Sequence, residues 1–492
     1  MTGTANGPAN RPVTGTGRIR GELGRRTLGV VYGELSPAEF AEELSLMATV
    51  DRAHLVMLAE RGLVSREAAG RLLECVEALA ERDFQPLYGQ PAPRGLYLMY
   101  EGYLIERLGA DIGGTLHTGR SRNDLKATVT FLKARRWLLD LTEQATRLEA
   151  VLLSRARAHE AVVMPAYTHF QAAVPVTYGY YLLGVALAVA RDVDALAAAA
   201  GGLRACPLGA GAVAGTDLPI DPARTAALLG FHEPVGHAMD TLASRDVLLR
   251  MLGAVTGLTI TLSRLATDLQ LWSTAEFGFI RFPDRLVGGS SAMPQKRNAF
   301  LLEHLKAKAG QAVGAWTAAA STMATTPFTN TIEVGTEATE RIWPGLRAAE
   351  DAVLLAQVLA SGARPVPERM AERAGSGFTT ATAIANRLVR QGMPFRTAHR
   401  MVGEAVRRAV AAGSTSLAGF GPPGWLDDGE PDPAALVRTS GHSGGPGGFD
   451  HLHGRGRDLW THHLRWHQRW RSALDGARIE LNDATRVIVA WS

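Results

Sequence analysis

The sequence predicts an all-α protein: a central bundle of long helices with smaller N- and C-terminal helical domains. Three observations carry this. Long Ala/Leu/Arg-rich stretches run without breakers, helix-capping residues bracket them, and no alternating, turn-bounded strands or βαβ rhythm appear. The 492 residues are about three domains' worth of chain, so a large core is available.

The elements follow in chain order. Residues 1–16, rich in Gly, Thr, Asn and Pro, read as a disordered tail without the apolar core of a signal peptide. From Ser36, a good N-cap, Pro37 suits the first helical position and Gly62 suits the stop; Ser65 caps the next helix. Leu125 to His159 and Tyr178 to Ala199 read as long helices. About Leu242 to Phe277 reads as one helix of ~50 Å, apolar most of the way round and hence buried among others. Segments near 301–320 and 337–361 repeat the pattern, and Pro365 and Pro367 mark a boundary. The division predicted is a tail (1–16), an N-terminal helical domain (17–121), a central bundle (122–365), a C-terminal helical domain (366–445) and an extension (446–492).

Composition excludes several classes. The 52 Lys+Arg against 48 Asp+Glu leave +4, too little over this length to imply a nucleic-acid or membrane partner. No run of ~18 uninterrupted apolar residues predicts a membrane span. Two cysteines, Cys75 and Cys206, exclude a disulfide framework and a multi-Cys zinc site, and fit a reducing compartment, the cytoplasm.

Three polar, Gly-containing segments interrupt the helices: Gly113–Asp124, Met164–Gly179 and Phe282–Phe300. In the third, Gly288 and Gly289 precede Ser290, Ser291, Pro294, Lys296 and Asn298, with Glu303 in the helix that follows. Two readings stand here: a solvated Ser/Gly loop, or a lid that binds a dicarboxylate and closes over it. The first segment sets Thr118, Arg120, Ser121, Arg122 and Asn123 together, either an Arg fork for a carboxylate or phosphate, or a loop salt-bridged to acidic neighbours. In the second, His169 follows Thr168; a histidine passes protons near neutral pH, though a single one is more often structural.

Together the segments resemble the fumarase/aspartase superfamily of lyases, and within it the argininosuccinate lyase family. GSSAMPQKRN (289–298) is similar to the superfamily signature, and HTGRSRND (117–124) and YTHFQAAVPV (167–176) resemble the other two family segments. The likeness extends through residues 206–221, 273–279, 388–406 and 40–80, covering about 35–445. It implies a homotetramer in which each active site takes its segments from three subunits, acting on a small N-substituted aspartate without metal or organic cofactor. It implies Ser290 as the base, Lys296 and Asn298 as stabilisers of the aci-carboxylate, and His169 as the acid that protonates the departing nitrogen, with Glu303 as its partner. Thr118, Thr168, Ser121, Arg122, Asn123, Ser291 and Met293 match substrate-binding positions, and Arg245 is a weaker match.

The sequence also departs from the family. Residues 95–109 lack its acidic-His segment, and residues 17–33 replace its usual opening. In 326–340 Asn330 persists, but Thr329, Val334 and Glu337 stand where the family has Tyr, Gln and Lys. The expectation is therefore a C–N lyase that releases fumarate from an N-substituted aspartate other than argininosuccinate, in a specialised pathway. The alternatives are an authentic argininosuccinate lyase, a non-catalytic protein on the lyase fold, and a lyase of another branch releasing ammonia or water. The extension carries His451, His453, His462, His463 and His467 among Trp460, Trp466 and Trp470. His463 and His467, spaced i, i+4, allow a metal pair but lack an evident acidic third ligand, so a packed helix with aromatic anchors is preferred; a cover over the active-site mouth is the other reading.

Overall fold

A computed structural model describes residues 23–490, apart from residues 424, 427 and 428. The tail predicted over 1–16 lies outside the described residues. The N-terminal part runs α1 (Arg25–Tyr32), α2 (Pro37–Glu60), α3 (Arg66–Ala80), α4 (Leu96–Leu108) and the single turn α5 (Ala110–Gly113). Ser36 and Glu39 form the capping box of α2, and Gly62 follows its end at φ 68°.

The bundle consists of α6 (Arg122–Ala158), α7 (Tyr178–Ala200), α10 (Asp246–Trp272), α11 (Phe300–Met323) and α12 (Ile342–Gly362), with the short α8 (Pro222–Leu228) and α9 (Ala238–Ala243) before α10. Helices α6, α7, α10, α11 and α12 pack on one another. The long helix expected over 242–277 is shorter. His237 caps α9 separately, the chain breaks at Ser244, and α10 stops at Trp272 with Ser273 as its C-cap, leaving it with 27 residues, or ~40 Å. Nor is α10 buried all round. Leu248, Met251, Leu252, Val255, Leu258, Leu262, Leu265 and Leu269 form a buried stripe, while Ile260 is 46% exposed. It is apolar and long enough to cross a membrane, but here that stripe faces the bundle core.

The sequence reading missed strands. Val163–Thr168 (β1) and Gln171–Thr177 (β2) form an antiparallel hairpin between α6 and α7, and Ile280–Arg281 (β3) pairs with Arg364–Pro365 (β4). Val163, Tyr167, Thr168, Val174, Val176 and Thr177 are the β-formers, but Pro165, Pro175 and three alanines mask the alternation that would announce a strand. Beyond β4 come α13 (Pro367–Ala374), α14 (Ala381–Arg390), α15 (Phe395–Ala411) and α16 (Pro433–Thr439). Ile384, Leu388, Ala398, Val402 and Leu417 form a small core of their own there.

The extension is one helix, α17 (Phe449–Val489), packed against α2, α3, α6, α7 and α8, and its Phe449, Leu481 and Ile488 join the main core. Close approach to α6 requires Gly456, since a Cβ there would lie 2.8 Å from Leu153 Cδ2. The packed helix is thus the observed outcome. His463 is buried between two carboxylates: Nδ1 lies 2.9 Å from Glu149 Oε1, and Nε2 lies 3.0 Å from Asp194 Oδ1. His463 and His467 do not form a metal pair; among the described residues no cluster of His, Cys, Asp and Glu is arranged to hold a metal ion.

Candidate active site

The first segment is a built structure. Ser121 caps the 37-residue α6, its Oγ accepting from Asn123 N at 3.2 Å, and Asp124 Oδ1 accepts from Ser121 N at 2.9 Å. Ser121, Arg122 and Asn123 therefore sit at the positive end of a long helix, where a carboxylate is favoured. Buried Asp124 also accepts from Gly209 N (3.1 Å) and Gly211 N (2.9 Å) through Oδ2, tying the segment to the 206–221 loop. Asn123 Nδ2 donates to Ala212 O at 3.3 Å. Arg122 is exposed, with Nη1 3.4 Å from Arg94 O.

Arg120 corrects the Arg-fork reading. Its side chain is fully buried, Nη2 lying 2.6 Å from Asp51 Oδ1 and 2.7 Å from the Tyr97 hydroxyl oxygen. The ion-pair reading holds for Arg120, and Arg122 alone is left to face a ligand. Arg245, 2% exposed, donates from Nη1 to Thr241 O at 2.9 Å; burial lowers its pKa to about 10.

The second segment is the hairpin. Thr168 pairs with Gln171, so His169 and Phe170 alone make the turn, at φ 51° and 60°. A two-residue turn of this kind favours Asn-Gly. Two non-glycine residues there cost about 1–3 kcal/mol each, a strain that gathers at functional positions. Thr168 and His169 are exposed, and Phe170 is 81% exposed at the tip.

The third segment is a loop closed at its neck. Gly288 N donates to Asn298 O (2.9 Å) and Asn298 N to Gly288 O (2.8 Å), while Arg297 anchors the return to Asp284 and Phe282 O. Inside the loop, Ser290 Oγ accepts from Met293 N at 3.1 Å and Ala292 N at 3.3 Å. Two N–H dipoles aimed at one oxygen favour its deprotonated form. Ser291, Met293 and Lys296 are exposed, and Asn298 Nδ2 donates to Gly289 O at 3.4 Å. Glu303, exposed in the first turn of α11, accepts from Gln270 Nε2 at 3.2 Å; no hydrogen bond or ion pair joins it to His169 within the chain.

The segments do not converge in a single chain. The first precedes α6 and the hairpin follows it, so the two lie about 55 Å apart along that helix. The hairpin and the third segment share the far end, where Tyr167 meets Phe277 and Phe279 (ring centroids 5.7 and 6.4 Å). Residues 326–340 return to the first segment's end: Lys126 Nζ donates to Thr336 Oγ1 at 2.6 Å, within a π-helical turn, Glu333–Ala338. Val334 is buried there and Glu337 exposed. Sequence reasoning passed over Asp51, His54, Asp124 and Lys126. The available signal was charge inside the apolar α2 stretch TVDRAHLVML.

The Lyase family matches residues 95–314, and the family Argininosuccinate lyase C-terminal matches residues 378–418. The argininosuccinate lyase of Methanoculleus marisnigri is 39% identical over 370 residues, 75% of this chain and 74% of that protein. A solved EDDS lyase variant with bound fumarate superposes with a TM-score of 0.84 at 26% identity, over 92% of this chain and 93% of that one. A class II fumarase from Schistosoma mansoni shares the fold, with a TM-score of 0.67 at 16% identity over 80% of this chain and 89% of that one. Fold and site together define a carbon–nitrogen lyase of the fumarase/aspartase superfamily. Within that superfamily, the chain belongs to the argininosuccinate lyase family.

Proposed function

We propose that the enzyme eliminates an amine from an N-substituted aspartate and releases fumarate. The observation that carries this is Ser290, whose Oγ receives two backbone N–H groups in a loop that also holds Lys296. Ser290, as the alkoxide, takes the proton from the carbon next to the distal carboxylate. The electron pair moves into that carboxylate, forming the aci-carboxylate, with Lys296 and Asn298 as donors to it. Its collapse makes the C=C bond and breaks the C–N bond. His169, partnered by Glu303, supplies the proton that the departing nitrogen gains. Thr118, Ser121, Arg122, Asn123, Thr168, Ser291 and Met293 hold the substrate, with Arg245, buried in this chain, the weaker member of the set. No metal or organic cofactor takes part.

The active site is completed between subunits of a homotetramer. Two features support this: the far separation of the segments along α6, and the outward apolar residues Ile260, Val313, Trp316 and Leu354 of the bundle. The strained, exposed His169-Phe170 tip is shaped to enter a neighbour. Two unpaired thiols, half-buried Cys75 and buried Cys206, support a cytoplasmic location.

Argininosuccinate is the first substrate, because the curated relatives bear that name. This ranks the authentic lyase above the altered substrate expected from residues 326–340. A second reading, a different leaving amine, rests on that block: exposed Glu337 sets a negative charge beside Lys126 at the first segment's end. Fumarate absorbance with argininosuccinate and with other N-succinyl amines decides between them. Turnover of argininosuccinate at about 1 s⁻¹ or more supports the first reading, and fumarate release only from another N-succinyl amine supports the second. No fumarate from any of them, from an intact assembly, overturns both.

A further inference from the structure

Beneath the first segment lies a polar cluster for which the elimination has no direct use. Asp51 and His54, one turn apart on α2, are 0% and 1% exposed. Asp51 meets the buried Arg120 guanidinium at 2.6 Å, and the same nitrogen, Nη2, donates to the Tyr97 hydroxyl at 2.7 Å. His54 Nε2 lies 2.8 Å from the Thr118 carbonyl oxygen. A carbonyl only accepts, so Nε2 carries the proton. Burial and the Arg120 charge drive the His54 pKa well down, so the ring is a neutral, single donor.

These contacts grip the chain at alternate residues, 118 and 120, with Gly119 between them at φ 72°. A Cβ on Gly119 would lie 2.8 Å from Ile220 Cγ2, so the loop is pressed against the 206–221 segment at that turn. On the other flank, Asp124 is held by backbone N–H groups of the same segment. Ser121, Arg122 and Asn123 are thus a three-residue span between two buried anchors. A guanidinium without its carboxylate does not stay buried, so losing Asp51 draws Arg120 outward and moves its neighbour, Ser121.

We infer that Asp51 and His54 are positioning residues: through Arg120 and the Thr118 carbonyl, they hold Ser121, Arg122 and Asn123 in the geometry that grips the succinyl half of the substrate. This rests on the reading that those three residues bind substrate. α2 is then a template for the binding loop as well as a core helix.

The test uses the full-length assembled enzyme, with fumarate as the probe. Titration calorimetry gives fumarate affinity, and hydrogen exchange follows the amides of residues 116–124. His54→Leu is expected to weaken fumarate binding at least tenfold and to speed exchange over 118–123. His54→Gln, whose side-chain N–H also reaches the Thr118 carbonyl, is expected to restore both to within threefold. Because Asp51→Asn alone risks misfolding, the pair is tested as Asp51→Leu/Arg120→Met, an apolar replacement that keeps the fold and still weakens binding at least tenfold. Unchanged exchange and affinity in His54→Leu and in the double variant overturn the positioning role while leaving the elimination chemistry standing. Faster exchange with unchanged affinity shows instead that the loop does not bind the succinyl group, which sinks that reading and this inference together. No rescue by His54→Gln removes the hydrogen-bond argument for His54.

Discussion

The first and third polar segments are built in opposite ways. The first is clamped: Arg120 and Asp124 are buried, and each is bonded to a distant part of the chain. The third is tethered only at its neck, by the paired backbone of Gly288 and Asn298, and Ser291, Met293 and Lys296 stand in solvent. A substrate carboxylate is gripped best by donors that do not reorganise, whereas a base that must admit substrate and then exclude water belongs on a part that moves. On the proposed reading, the difference divides binding from chemistry, and each half makes predictions that the other does not.

The largest effect is expected in the neck-tethered half. Ser290→Ala removes the base and lowers kcat by about 10²–10⁴-fold, with fumarate affinity and melting temperature nearly unchanged. Retained turnover in a stopped-flow fumarate assay would end the assignment of Ser290. In the clamped half the damage is structural first. Asp124→Ala strands the N–H groups of part-buried Gly209 and buried Gly211, at up to about 1–3 kcal/mol for each unpaired donor and least for Gly209. Calorimetry should show a melting point lower by several degrees, with fumarate binding lost in parallel. Ser121→Ala should be milder, about 0.5–2 kcal/mol for a lost cap, visible in urea unfolding, with weaker fumarate binding and an unchanged solvent isotope effect on kcat.

The smallest effect belongs to α17, which braces the clamped half. Burial alone lowers the His463 pKa, but hydrogen bonds and charge from Glu149 and then Asp194 outweigh it, and the net shift is upward. The groups facing the ring are Glu149 on α6 and Asp194 on α7, with Glu143, His467 and Arg471 close along the same seam. A pKa raised on folding gives stability that is complete below the unfolded value, near 6.5, and lost as pH rises through the folded value. With Asp194 half exposed, the contribution is about 1 kcal/mol or less. His463→Gln should flatten the dependence of melting temperature on pH above the unfolded value, near 6.5. An unchanged slope would show that the imidazole is not the group titrating.

Much of the fold was legible because its signals are local. Ser36 with Glu39, and Ser65, announce helix starts within a few residues. The extent of α10 was misjudged because the break at Ser244 and the stop at Ser273 are single-residue events beside an otherwise apolar run. The hairpin was missed because its prolines and alanines blur the period-two pattern, and its pairing is itself non-local. Within the candidate site, the reactive-looking residues were legible, but their anchors were not. The two readings of Arg120, fork or ion pair, stayed open because nothing within its own segment shows Asp51, and the partners of His463 lie 314 and 269 residues away in sequence.

Taken alone, the sequence determined the helical class, the caps, the three polar segments and the resemblance that names their chemistry, since each depends on residues near one another along the chain. Tertiary structure alone decided which charges are buried as anchors and which are left exposed. It also decided that α17 is part of the core, and that the chain carries the first segment and the other two at opposite ends of its longest bundle helix. Burial and long-range pairing set those outcomes, because a charge's cost or use depends on what surrounds it in space.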